Sequence, residues 1–167
     1  MLQIPTKTKP AYNAGNILTL NQKSQCLVSP VAPAKHSTPQ LRNLIQKGQK
    51  VRIGMVGQPP RLRVALGWNV SNLQCDIDLS AYLLDASGKV PGDDWFVFYG
   101  QTSSPNKSVT LHINESSSDR EYADIDFFRL DPSIRKIVFV LTINEALERN
   151  LNFSMVQDAY IRILNPD

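Results

Sequence analysis

Alternation of apolar and polar positions, rather than a helical period, runs through the chain from residue 41 onward. Its clearest stretch is residues 74–84. Period two there puts Cys75, Ile77, Leu79, Ala81 and Leu83 on one face and Asp76, Asp78 and Ser80 on the other. Residues 62–68 alternate apolar with basic and end at Gly67-Trp68, and residues 108–113 and 123–127 alternate again. Trp95, Phe96, Val97, Phe98 and Tyr99 form an aromatic and β-branched run, too short for a helix and suited to a buried strand. Residues 135–143 make the strongest core strand and residues 159–164 the last one, while a turn at Gly48 leads into a short strand at 51–53. Turn residues separate these runs, notably at 85–89, 100–106 and 114–121. Only residues 144–149 read as helix, one or two turns with Asn144 as N-cap and Glu145 near the positive end of the dipole. About seven or eight short strands at roughly 8–14-residue spacing predict an all-β sandwich or barrel. The inward/outward pattern fits the two-sheet β-sandwich, with one short helix.

Ahead of this region the pattern fades. Residues 1–40 hold five prolines and much Thr, Ser, Asn and Gln, which predicts a basic, extended or disordered N-terminal arm before a domain at 41–167. Within the arm, residues 16–20 (Asn-Ile-Leu-Thr-Leu) have β character and could add to a sheet edge, and residues 30–33 read as a semi-rigid linker. Charge changes the picture more than composition does. Residues 1–75 contain ten basic residues and no acid, whereas residues 76–167 carry eight basic residues and all 15 acids, and Asp76 is the first acid in the chain. The basic residues stand singly and lack interleaved aromatics, so no specific nucleic acid is predicted. Such asymmetry equally suits a front half that rests on the acidic half.

Most function classes find no support. No run approaches the ~18 apolar residues of a membrane span, and no apolar core follows the first ten residues as a secretory signal requires. Cys26 and Cys75 cannot build a disulfide framework or a zinc site, which makes a reduced, intracellular compartment the default. His36 and His112 accompany no nucleophile motif, and no glycine-rich phosphate loop is present. Asp76 and Asp78 would share one strand environment, whereas a glycosidase pair needs environments that push two pKa values apart. The chain is therefore expected to bind rather than catalyse.

What remains is carboxylate chemistry. Two residues along a strand set Asp76 and Asp78 ~6.6 Å apart, close enough to lean toward one ion. The alternative is an ordinary edge strand with a solvated outer face. Asp93-Asp94 in a turn and Asn114, Asp119 and Glu121 in one loop add further oxygens of the kind calcium takes. No EF-hand is present, since Ala81 stands where that loop needs glycine.

Several blocks in order carry a resemblance. They are Leu66-Gly67-Trp68, Asp76-Ile77-Asp78-Leu79-Ser80-Ala81-Tyr82-Leu83-Leu84, Phe96-Val97-Phe98-Tyr99, Lys136-Ile137-Val138-Phe139-Val140, Thr142-Ile143-Asn144-Glu145-Ala146, Asn152-Phe153 and Ala159-Tyr160-Ile161-Arg162. Together, over residues 41–165, they resemble the tellurium-resistance TerD-type domain of bacterial stress proteins. The resemblance implies a calcium-binding β-sandwich of the cytoplasm or membrane periphery, linked to tellurite and general stress resistance, with calcium and the proteins of a stress-response complex as partners. The ligands it implies here are Asp76, Asp78, Asp119 and Glu121, with Asn114 a looser match. Gln74 replaces a family acid, and Arg120 brings a competing cation into the loop, so at most one weakened calcium site is expected. The alternative is a metal-free protein-interaction scaffold that uses the arm or an open edge. The family's final pair of strands has no counterpart before Asp167, which would leave such an edge for residues 16–20 to cover.

Overall fold

A computed structural model describes residues 35–40, 43–53, 61–71, 74–114 and 116–166. The expectations for residues 1–34, the strand at 16–20 among them, lie outside the described residues. Seven strands form where the alternation predicts them: β1 (Arg61–Val70), β2 (Ile77–Leu84), β3 (Phe96–Val97), β4 (Val109–Ile113), β5 (Glu121–Asp126), β6 (Lys136–Ile143) and β7 (Val156–Leu164). They make two antiparallel sheets, one in the order β4-β5-β1-β7 and one in the order β3-β2-β6. The all-β sandwich is thus the observed architecture.

Register follows from burying the apolar face of each strand. Val64 and Leu66 of β1 lie opposite Ala123 and Glu121 of β5, and Leu79 of β2 lies opposite Leu141 of β6. The core between the sheets is built from Val64, Leu66, Trp68, Leu79, Leu83, Val97, Val109, Leu111, Ala123 and Ile125, each less than a tenth exposed. Outside the smaller sheet, Tyr82 stacks on Phe96 with ring centroids 4.3 Å apart, and Phe96 on Phe98 at 4.8 Å. These rings help explain why the polar face of β2 is not solvated: Asp78 and Ser80 are only 5% and 8% exposed. β2 is the central strand of its sheet, not an edge.

Four local expectations change. The helix expected at 144–149 is a series of turns. One helical bond forms, Arg149 N–H to Glu145 C=O at 3.0 Å, but Glu145 and Asn150 take left-handed φ values of 50° and 57°, which stop a helix from propagating. Among the described residues the helical ones are two single 3-10 turns, Asp93–Trp95 and Phe153–Met155, the second capped by the Asn152 side chain accepting from the Ser154 N–H at 2.9 Å. The five-residue strand expected at 95–99 shrinks to Phe96–Val97, because Phe98 exchanges backbone hydrogen bonds with Gln101 and the chain doubles back. Residues 51–53 are irregular and exposed rather than a strand. Lastly, β6 is an edge strand whose central residues stay half-buried, since nothing among the described residues pairs with its outer side.

Candidate functional site

The carboxylates that the sequence groups into one site separate onto different faces of the sandwich. Glu121 opens β5 with its side chain turned inward, in step with Ala123 and Ile125. It is 5% exposed, and its Oε2 accepts the backbone N–H of Leu79 at 2.7 Å. β3 pairs only with Ala81 and Tyr82 of β2, so among the described residues the earlier part of that strand has no ladder partner on this side and the carboxylate supplies the acceptor.

Asp119 lies in the loop before β5 and is taken up by the outer face of the larger sheet. Tyr160 and Arg162 of β7, two residues apart, project from that face. The Arg162 guanidinium meets the Asp119 carboxylate with two nitrogens, Nε to Oδ1 at 3.1 Å and Nη2 to Oδ2. The Tyr160 hydroxyl stands 2.7 Å from the Ser118 carbonyl and 2.9 Å from Asp119 Oδ1, sharing its single proton between two acceptors. Burial, then the bond to the Asp119 carboxylate, push the Tyr160 phenol up to about 12. Room for the ring comes from Gly67, its partner across the ladder. A Cβ at Gly67 would meet the Ser118 carbonyl oxygen at 2.1 Å and Tyr160 Cζ at 2.4 Å.

Asp78 alternates with the core side chains of β2, and Asp76 stands one residue before that strand. Burial raises the Tyr99 phenol, and the negative charges of Asp78 and Asp76 raise it further. Burial likewise raises the thiol of the free Cys75, with Asp76 adding to it. Asn114 is exposed. Its carbonyl accepts from Ser117 N–H at 3.2 Å, its side chain accepts from the Ser116 hydroxyl at 2.9 Å, and its N–H donates to the Arg120 carbonyl at 2.6 Å. Arg120, expected as a cation competing for the acids, lies with its guanidinium 5.8 Å from the Trp68 ring centre. Its Nε is buried without a hydrogen-bond partner among the described residues.

Asp119, Glu121 and Asn114 are thus each taken up by different protein groups. Among the described residues, no three His, Cys, Asp or Glu side chains meet in an arrangement that could hold a metal ion. A calcium ion wants six to eight oxygens in one shell, whereas here Asp119 faces a guanidinium and a phenol and Glu121 accepts an amide. The described residues do not fit that ion. Tyr160, Arg162 and Gly67 are the site residues that carboxylate counting misses. A signal for them exists, since polar residues two apart in an otherwise apolar strand, and a glycine inside another, both ask for a partner.

A second polar cluster occupies the same outer face. Arg63 of β1 donates from Nε and Nη2 to the two oxygens of Asp124 on β5, at 2.7 and 2.9 Å, and this bond raises the guanidinium's pKa further. The guanidinium lies 4.1 Å from the Tyr122 ring centre. His112 stacks on the same ring at 4.7 Å and brings Nε2 to 3.5 Å from Asp124. At the far end of β1, Asn69 clamps the incoming chain: its Oδ1 accepts His36 N–H at 2.9 Å, and its Nδ2 donates to the His36 carbonyl and to Asp158, each at 3.0 Å.

Comparison with known proteins places this architecture. Tellurium resistance protein TerD of Serratia marcescens is 37% identical over 111 residues, 62% of this chain and 58% of that protein. General stress protein 16U of Bacillus subtilis is 33% identical over 133 residues, 74% of this chain and 68% of its own length. The chain thus spans somewhat more than half the length of the Serratia relative. Among solved structures, a homologue of telluride resistance protein (TerD) from Streptomyces coelicolor A3(2) shares the fold, with a TM-score of 0.50 at 19% identity over 64% of this chain and 66% of that one. Residues 42–167 match the TerD domain, and the chain belongs to the TerD domain family.

Proposed function

We propose that this chain is a stress-response binding module of the TerD family whose acidic groups are held by its own side chains, so that it acts on protein partners without calcium. The observation that carries this reading is the capture of Asp119 by Arg162 and Tyr160. A cation would have to displace a two-nitrogen, charge-assisted contact before it could bind there. Glu121 supports the same reading, because its bond to Leu79 N–H ties one sheet to the other. The relatives named for tellurium resistance and general stress supply the biological setting. A competing reading keeps a calcium ion near Asp76 and Asp78, whose combined negative potential is what Tyr99 feels. Isothermal calorimetry of the full chain with calcium decides between them. No binding heat up to millimolar calcium is expected, and a saturable heat lost in Asp78→Asn would overturn the calcium-free reading. The stress role is tested by expressing the chain in a tellurite-sensitive bacterium. Raised tolerance is expected, and unchanged tolerance would contradict it.

A further inference from the structure

The connection between β5 and β6 sorts its apolar residues in two ways. Leu130 packs against the core and Ile134 is 6% exposed, whereas Phe127 and Phe128 stand out at 44% and 86%. The turn that carries the two rings is held by hydrogen bonds at both of its ends. Asp126 Oδ1 accepts the Phe128 N–H at 3.0 Å, and the Asp126 carbonyl accepts the Arg129 N–H at 3.2 Å. The Asn106 side chain donates to the Arg129 carbonyl at 2.6 Å, and the Asp126 N–H donates to the Ser108 carbonyl at 2.8 Å. A backbone fixed in this way loses little further freedom when a partner closes over it.

Three cations border the rings. Arg61 of β1 and Arg129 each bring Nε to 3.6 Å from Asp126 Oδ2, and their side chains stay 54% and 57% exposed. Lys107 is exposed and follows Asn106, whose bond to Arg129 sets it beside the same turn. Its φ of 56° lies in the left-handed region that favours glycine. Strain kept at an exposed position points to a use for the side chain.

Charge and shape decide what fits this corner. Anionic membranes hold clusters of about four to eight Lys or Arg, whereas here three cations surround one carboxylate. A nucleic-acid strand asks for cations and aromatic platforms along a groove, and these two rings stand on a single turn. Fixed aromatic and arginine side chains are the groups that dominate protein interfaces. An acidic segment bearing an apolar residue meets both features, its carboxylates facing the cations and its apolar side chain covering Phe128.

We propose that the corner formed by Arg61, Lys107 and Phe127-Phe128-Arg129 is a docking surface for an acidic segment of a protein partner, with Phe128 as its anchor. The inference rests on the protein-binding reading above and names the partner's chemistry.

Selection of random displayed peptides on the full chain tests it. Enriched peptides are expected to combine carboxylates with an aromatic or large aliphatic residue. Phe128→Ser, at an exposed position, is expected to weaken their binding by about tenfold or more. Lys107→Gly suits the left-handed backbone, so it should weaken binding while the urea midpoint holds or rises. No acidic consensus, or equal binding by either variant, would overturn the proposal. Phe128-dependent sedimentation of the full chain with phosphatidylcholine vesicles containing phosphatidylglycerol would overturn it in favour of a membrane. Calcium calorimetry reports on the earlier reading by itself, so the two can fail separately.

Discussion

Tyr160 shows how closely the residues on the outer face depend on one another. Its hydroxyl reaches Ser118 and Asp119 only because Gly67 leaves the space. Gly67→Ala is expected to cost about 1–3 kcal/mol, since the added carbon meets backbone and ring rather than a yielding side-chain tip. Urea denaturation measures it, and an unchanged midpoint would contradict the assigned contact. Asp119→Ala strands the Arg162 guanidinium and is expected to destabilise by about 1.5–3 kcal/mol, the range for hydrogen bonds to charged groups. The raised Tyr160 pKa has a definite sign. The folded state holds the phenolic proton more tightly, so the contribution is complete below the ordinary tyrosine value of 10 and is lost as pH climbs through about 12. Melting curves across that window should show a shallower alkaline decline in Tyr160→Phe than in the native chain. The sequence made Asp119 and Glu121 visible as candidate oxygens but not what they bind. Arg162 lies 43 residues from Asp119 along the chain, and only the β1–β7 register brings the two together.

At the level of elements, alternation was a reliable guide wherever one strand face is buried. The face of β2 carrying Ile77, Leu79, Ala81 and Leu83 is the core face, and each of the four is less than a tenth exposed. Leu79→Ala, at a fully buried position, should cost about 2–5 kcal/mol on the denaturation curve. Alternation says nothing about a strand's rank in its sheet. The β2 segment admitted an edge reading and is central, whereas β6 reads as core and forms an edge, because apolar content reports facing and not neighbours. The expected helix at 144–149 failed for a local reason, as a cap signal at Asn144 cannot overcome a left-handed Glu145. Asn69 links two distant elements through a 4%-exposed amide that binds both backbone groups of His36. Asn69→Ala should therefore speed limited proteolysis near residue 36 while leaving cleavage within the strands unchanged. Equal rates at residue 36 would contradict the clamp.

Across the whole molecule, the charge asymmetry of the sequence is resolved in part by sheet pairing. β1 brings Arg61 and Arg63 from the acid-free half against Asp126 and Asp124 of β5, at 3.6 and 2.7 Å. Among the described residues, the β1 segment of the acid-free half rests on the acidic β5, strand against strand. The same pairing set explains why the carboxylates do not gather: β2 takes Asp78 to one sheet, the outer face of the other takes Asp119, and Glu121 spans the interior. The calcium-free reading proposed above rests on these partners of Asp119 and Glu121. The most direct measurement is thermal melting of the full chain in millimolar calcium and in excess chelator. The two melting temperatures should agree within about 1 °C, whereas calcium at 100 times its Kd would add about 2.7 kcal/mol and raise the midpoint by about 5–10 °C. A rise of that size would contradict the calcium-free account.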